Sequence, residues 1–177
     1  MITKKEAVSF LKAHQPMPSD DELQENDIKK YAEIRDYFIK NPDEQCISLF
    51  LNSFGGKDGY GVYQMVEDVI LMYDIEKVVP HLLKTFDSVY EGVKYWGIQI
   101  SSNYPSEKFF EPLVDLLKSE DEDIKFATIT TLARMALNNI NKQQIINILK
   151  KEYEILLDED IKEFIIEVLF DITNSNL

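Results

Sequence analysis

The pentapeptide Asp-Glu-Asp-Ile-Lys occurs at 121–125 and again at 158–162, and a looser copy, Tyr-Glu-Gly-Val-Lys, stands at 90–94. The copies start 31 and 37 residues apart, the length of two helices and their turns. A true repeat must also keep its apolar residues in phase at about 3.6 residues per turn. Downstream of the last copy, Ile161, Phe164, Ile165, Val168, Leu169 and Ile172 follow that spacing. Moving back 37 residues gives Ile124, Ala127, Thr128, Thr131, Leu132 and Met135, and a further 31 gives Val93, Trp96, Gly97, Ile100, Ser101 and Tyr104. The first copy is degenerate but in phase. Each stripe follows another amphipathic segment: 78–83, 109–117 and 145–149. Three helix pairs over 74–177 are expected. None can bury its apolar faces alone, so the pairs must stack.

Upstream, Thr3-Lys4-Lys5-Glu6 reads as a capping box opening a helix to about His14, and Gln15-Pro16-Met17-Pro18 breaks the chain. Ser19-Asp20-Asp21-Glu22 reads as a second capping box for a helix to about Lys40. Pro42 suits the first turn of a third helix, ending at Gly55. Residues 55–61, Gly-Gly-Lys-Asp-Gly-Tyr-Gly, hold four of the six glycines and predict a loop. Helical spacing returns with Met65, Val66, Val69, Ile70 and Tyr73, and another helix starts at Asp74 or Ile75. The expectation is a single all-α domain over 1–177, with divergent helices and the glycine-rich loop in 1–73.

The segment Glu111-Pro112-Leu113-Val114-Asp115-Leu116-Leu117-Lys118, then an acidic turn and the small-residue helix from Ile124 to Met135, resembles the HEAT-repeat pattern. The resemblance is good over 106–137, fair over 75–104 and 141–173, and poor before that. It implies a HEAT-like α-α superhelix, a short solenoid of stacked antiparallel helix pairs, and a habit of binding or scaffolding rather than a particular activity. In size and acidity the chain also resembles small HEAT-like immunity proteins of bacterial toxin systems, which hold a toxin domain inactive by tight binding.

Charge narrows the partner. Nineteen Lys+Arg against 32 Asp+Glu leave −13 over 177 residues, with only Arg35 and Arg134 as arginines, so the electrostatic footprint of nucleic-acid binding is missing. Such a charge steers basic proteins toward the chain, and also serves plain solubility. With 45% hydrophobic and 29% charged residues the composition is that of a globular protein. No stretch approaches 18 uncharged apolar residues and no leader is visible, so a cytoplasmic protein without a membrane partner, monomeric when free, is expected.

No residue pattern demands catalysis, a cofactor or a metal. Lys57 is followed by Asp58, not the Ser or Thr of a phosphate-binding loop. The acidic runs 120–123 and 158–160 carry lysine at the fifth position of a would-be calcium loop, and suit helix N-termini instead. His14, His81 and Cys46 show no zinc spacing, Cys46 standing in an apolar run as a core residue. Glu67 and Asp68 are adjacent on a helix and so diverge.

What remains is the face of each second helix about 200° to 280° round from its buried stripe. It carries Tyr95, Gln99 and Asn103, then Phe126, Thr130 and Arg134, then Glu163, Glu167 and Asp171. Solenoids bind along such strips. Packing of Phe126 and Tyr95 against neighbouring repeats is the competing expectation for those two, and Trp96 falls on the buried stripe. Asp58 and Tyr60 in the glycine-rich loop are further candidate contacts.

Overall fold

A computed structural model describes residues 2–56 and 58–174; Lys57 lies outside them. Among the described residues there are ten α-helices and no strand. The helices are α1 (Lys4–Ala13), α2 (Glu25–Lys40), α3 (Gln45–Leu51), α4 (Glu67–Ile70), α5 (Ile75–Phe86), α6 (Glu91–Ser101), α7 (Phe110–Leu116), α8 (Glu122–Leu137), α9 (Lys142–Ile155) and α10 (Glu159–Asn174). The chain divides into two units, Met1–Gly97 and Ile98–Leu177, the boundary falling inside α6.

In the first unit the capping box forms as expected: Glu6 N–H donates to Thr3 Oγ1 at 3.3 Å and Thr3 N–H to Glu6 Oε2 at 2.8 Å. The second expected box does not form. Ser19 turns the chain, its carbonyl accepting from Glu22 and Leu23 N–H at 2.9 Å each, and α2 starts later, at Glu25, without a side-chain cap. The reason is tertiary. Met17 is buried and its N–H is bound to Ser53 O at 2.9 Å, while Asp20 is engaged with the glycine-rich loop through Gly59 N–H and the Tyr60 hydroxyl.

The third helix ends at Leu51, short of Gly55, and Phe54 and Ser53 turn inward and are buried. The expected helix from Val62 to Tyr73 is broken up as well. Gly59, Tyr60 and Gly61 all have positive φ, and they feed a 3-10 turn at Gln64–Val66 before the short α4. The core here is aromatic. Tyr31 meets Phe50 and Tyr63 edge-on, both at 5.7 Å between ring centroids, and Phe54 stacks on Trp96 at 5.6 Å. The Tyr31 hydroxyl and Ser53 Oγ are 2.7 Å apart, and Ser53 Oγ donates to Phe50 O at 2.7 Å, so these two buried hydroxyls are both satisfied.

Gly97 explains the degenerate first stripe. A Cβ placed there would stand 2.6 Å from Thr85 Cβ, with Thr85 Oγ1 nearer still. The helix pair α5/α6 closes at this point because neither side has volume to spare.

In the second unit α7 packs on α8, α8 on α9 and α10, and α9 on α10. All six residues of the middle stripe are buried, as are Ile161, Ile165, Val168 and Ile172 of the last. Thr131 tolerates burial because its Oγ1 lies within hydrogen-bonding distance of Ala127 O at 2.9 Å and Ile98 O at 3.0 Å. The two identical pentapeptides do identical work: Asp121 Oδ1 accepts from Ile124 N–H at 2.9 Å, and Asp158 Oδ1 from Ile161 N–H at 3.0 Å. Each caps the helix that follows it.

Candidate functional site

The helix faces opposite the buried stripes are most informative in the second unit. On α10, Glu163, Glu167 and Asp171 recur every four residues, so they form one row along the helix. All three are exposed, and none has an ion-pair partner among the described residues. Three like charges held unneutralised along one ridge can receive a cationic surface. On the neighbouring α8, Arg134 is exposed and Thr130 half-buried, the Thr130 hydroxyl being turned back onto Phe126 O at 2.8 Å.

Phe126 packs. Its ring meets Phe164 of α10 at 5.2 Å between centroids, so it joins the two helices rather than offering a free anchor. Gln99 is half-buried near the end of α6, and Asn103 is exposed in the turn beyond it, its amide 3.5 Å from Ile100 O.

Tyr95 belongs to the first unit, half-buried and edge-on to the buried Trp96 at 5.5 Å. The loop candidates are organised rather than loose. Tyr60 has φ +55°, a costly backbone for an aromatic residue, and Asp58 Oδ1 accepts its N–H at 2.9 Å. The Tyr60 hydroxyl donates to Asp20 O at 3.0 Å, leaving the ring 65% exposed.

The titratable groups of the first unit are arranged for packing. Burial pushes the Cys46 thiol up to about 11, so at neutral pH it is a protonated thiol and a poor nucleophile. It lies 3.4 Å from the Tyr73 hydroxyl, which accepts from Asp43 N–H at 2.8 Å. Burial likewise pushes the Tyr63 phenol up to about 12. His14 stacks on Phe10 at 4.0 Å, and His81 is half-buried, its pKa lowered by burial and then by Lys84. Among the described residues no three His, Cys, Asp or Glu side chains are grouped to hold a metal ion. No described helix is long and apolar enough to cross a membrane.

Two residues outside the expected strip stand out on α10: Ile166 is 53% exposed and Phe170 66%. The 37-residue register aligns them with Ile129 and the half-buried Ala133 of α8, so periodicity carried no signal of their exposure. Ile129 is buried.

No family model and no curated protein matches the chain. Among solved structures, one described as computationally designed armadillo repeat proteins for modular peptide recognition matches over 95% of this chain and 82% of its own, with 14% identity and a TM-score of 0.55. At that identity the likeness establishes the fold alone, and the fold is a HEAT/armadillo-like helical repeat.

Proposed function

We propose that the chain is a non-enzymatic protein-binding module that receives a basic protein through the second helices of its repeats. The observation that carries this reading is the row Glu163, Glu167 and Asp171: exposed, evenly spaced along α10 and without an ion-pair partner among the described residues. Thr130, Arg134, Gln99 and Asn103 extend the candidate surface within the second unit. Tyr95, Asp58 and Tyr60 are separate candidate contacts in the first. Recognition of peptides is stated of the designed armadillo proteins, and binding along repeat faces is what such folds generally do.

In its most concrete form the partner is a basic toxin domain, neutralised by a one-to-one complex. The net charge of −13, the small size and the resemblance to HEAT-like immunity proteins support that form. A thiol that burial keeps protonated favours a binding role over an enzymatic one. An adaptor for an enzyme complex would use the same surface, and the neighbouring gene distinguishes the two: a secreted toxin for the first, a metabolic enzyme for the second. A DNA-acting enzyme on this scaffold needs a positive surface, which the charge balance opposes.

The test is calorimetric titration with the partner recovered from the native host. Neutralising the row with Glu163→Gln, Glu167→Gln and Asp171→Asn should weaken binding about 3- to 150-fold and flatten its salt dependence, since each charge pair at a rim contributes on the order of 0.2–1 kcal/mol. Unchanged affinity overturns the row as the binding surface.

A further inference from the structure

Repeat folds cover the apolar faces of interior repeats with the next repeat, and present polar faces where the stack is capped. In α8 the position Ile129 is 1% exposed, within a unit whose other helices pack around it. One repeat later the same register position is Ile166, and the residue one turn on, aligned with the half-buried Ala133, is Phe170. Both are exposed on α10, the last helix of the described residues. Helix α10 therefore leaves exposed at Ile166 a position that is buried in α8, and carries at Phe170 a phenyl ring where α8 has the half-buried Ala133.

That face lies beside the acidic row. Glu163 stands three residues before Ile166 and Glu167 three before Phe170, so each apolar side chain neighbours a carboxylate. On the other flank Lys162 is taken up by Glu159 at 2.9 Å. Over its length α10 carries Glu159, Asp160, Glu163, Glu167 and Asp171 against Lys162 alone.

We infer that α10 docks an amphipathic helix of the partner, one bearing apolar residues a turn apart and flanked by lysine or arginine. Charge decides among occupants. A second copy of this chain would bring acid row against acid row, and two side chains of this size offer roughly 200 Å² of apolar surface against about 800 Å² per partner in a standard interface. A basic helix instead gains from both ridges, laying its apolar face into a small hydrophobic patch with cations over the carboxylates. This inference rests on the proposed binding role of the acidic row and adds the structural class of the partner segment.

The experiment uses the full chain and two probes: a cationic amphipathic helical peptide of leucine and lysine at helical spacing, and a lysine homopolymer of equal charge. Fluorescence anisotropy is read for the native protein, for Ile166→Ser/Phe170→Ser, and for Glu163→Gln/Glu167→Gln/Asp171→Asn. Circular dichroism checks that each variant keeps its helices. The serine pair should lose at least tenfold in affinity for the amphipathic peptide and be unchanged toward the homopolymer, while the neutralised row should lose both. If the serine pair binds both probes like the native protein while the neutralised row loses both, the helix-docking inference is overturned and the acidic surface stands. If the neutralised row binds both probes unchanged, the acidic surface falls and the inference with it. Sedimentation showing a native dimer that the serine pair dissociates assigns the face to a second copy and overturns the inference.

Discussion

Replacing Gly97 by alanine should destabilise the protein, against the usual direction for a glycine inside a helix. In an unencumbered helix the change stabilises by about 0.8–1.0 kcal/mol, because glycine loses more backbone freedom on folding. At Gly97 the new methyl would stand 2.6 Å from Thr85 Cβ, against about 3.5–4.0 Å for an optimal carbon contact. A Cβ is fixed to its backbone, so no rotamer of Thr85 relieves the overlap and α5 and α6 must separate by about 1 Å. Overpacking of this kind costs about 1–3 kcal/mol, and the absence of a rotamer escape places it near the upper end. Subtracting the helix-propensity gain leaves a net loss of about 2 kcal/mol, equivalent to about 4–8 °C in Tm for a chain of this size. Trp96, the only tryptophan, neighbours Gly97 and stacks on Phe54, so its fluorescence during urea unfolding reports the site directly. Thr85→Gly in the same chain removes the opposing Cβ and should recover more than 1 kcal/mol of coupling in a double-mutant cycle. A Gly97→Ala protein with a urea midpoint at or above the native one refutes the close approach of these helices.

Other expectations rest on single groups. Thr128 Oγ1 is buried without a hydrogen-bond partner among the described residues, so Thr128→Val should raise stability by about 1 kcal/mol, and a lower urea midpoint would contradict that. Asp121→Ala and Asp158→Ala each remove a helix cap and should cost about 1 kcal/mol apiece, with nearly additive effects in the double variant. Ser53→Ala strands the buried Tyr31 hydroxyl and should cost about 1–3 kcal/mol, read as a lowered Tm. His81 has its folded-state pKa lowered by burial, so the unfolded chain takes up the proton first as pH falls. Its contribution to stability is therefore complete above the ordinary value of 6.5 and lost as pH drops through the folded pKa; His81→Gln should flatten that part of the stability–pH curve.

Local chemistry made much of this fold legible. A hydroxyl three residues before a glutamate holds both groups of a cap within one turn, and Thr3 uses them so; Asp121 and Asp158 cap because their spacing to the N–H they bind is likewise set within one turn. The apolar phase of α8 and α10 also reads directly, since a stripe at 3.6-residue spacing has one way to be buried. The same reasoning failed at Ser19, whose sequence is as good a capping box as Thr3. There Met17, Asp20 and the glycine-rich loop hold the chain in a turn, and contacts about 40 residues away outweigh a cap worth about 1 kcal/mol. The residues 62–73 likewise have helical spacing, but three successive positive φ angles just upstream set their entry and leave only short turns.

For the candidate surface, sequence alone determined which side chains share a helix face, because that depends only on periodicity. The acidic row Glu163, Glu167 and Asp171 was readable in this way. Whether a face stays open depends on what the fold lays over it, and that was decided only in three dimensions. Phe126, on the expected strip, is engaged by Phe164, while Ile166, apolar and aligned with the buried Ile129, is left exposed beside the acids. Periodicity assigns a residue to a side of its helix; the neighbouring helices decide whether that side meets protein or water.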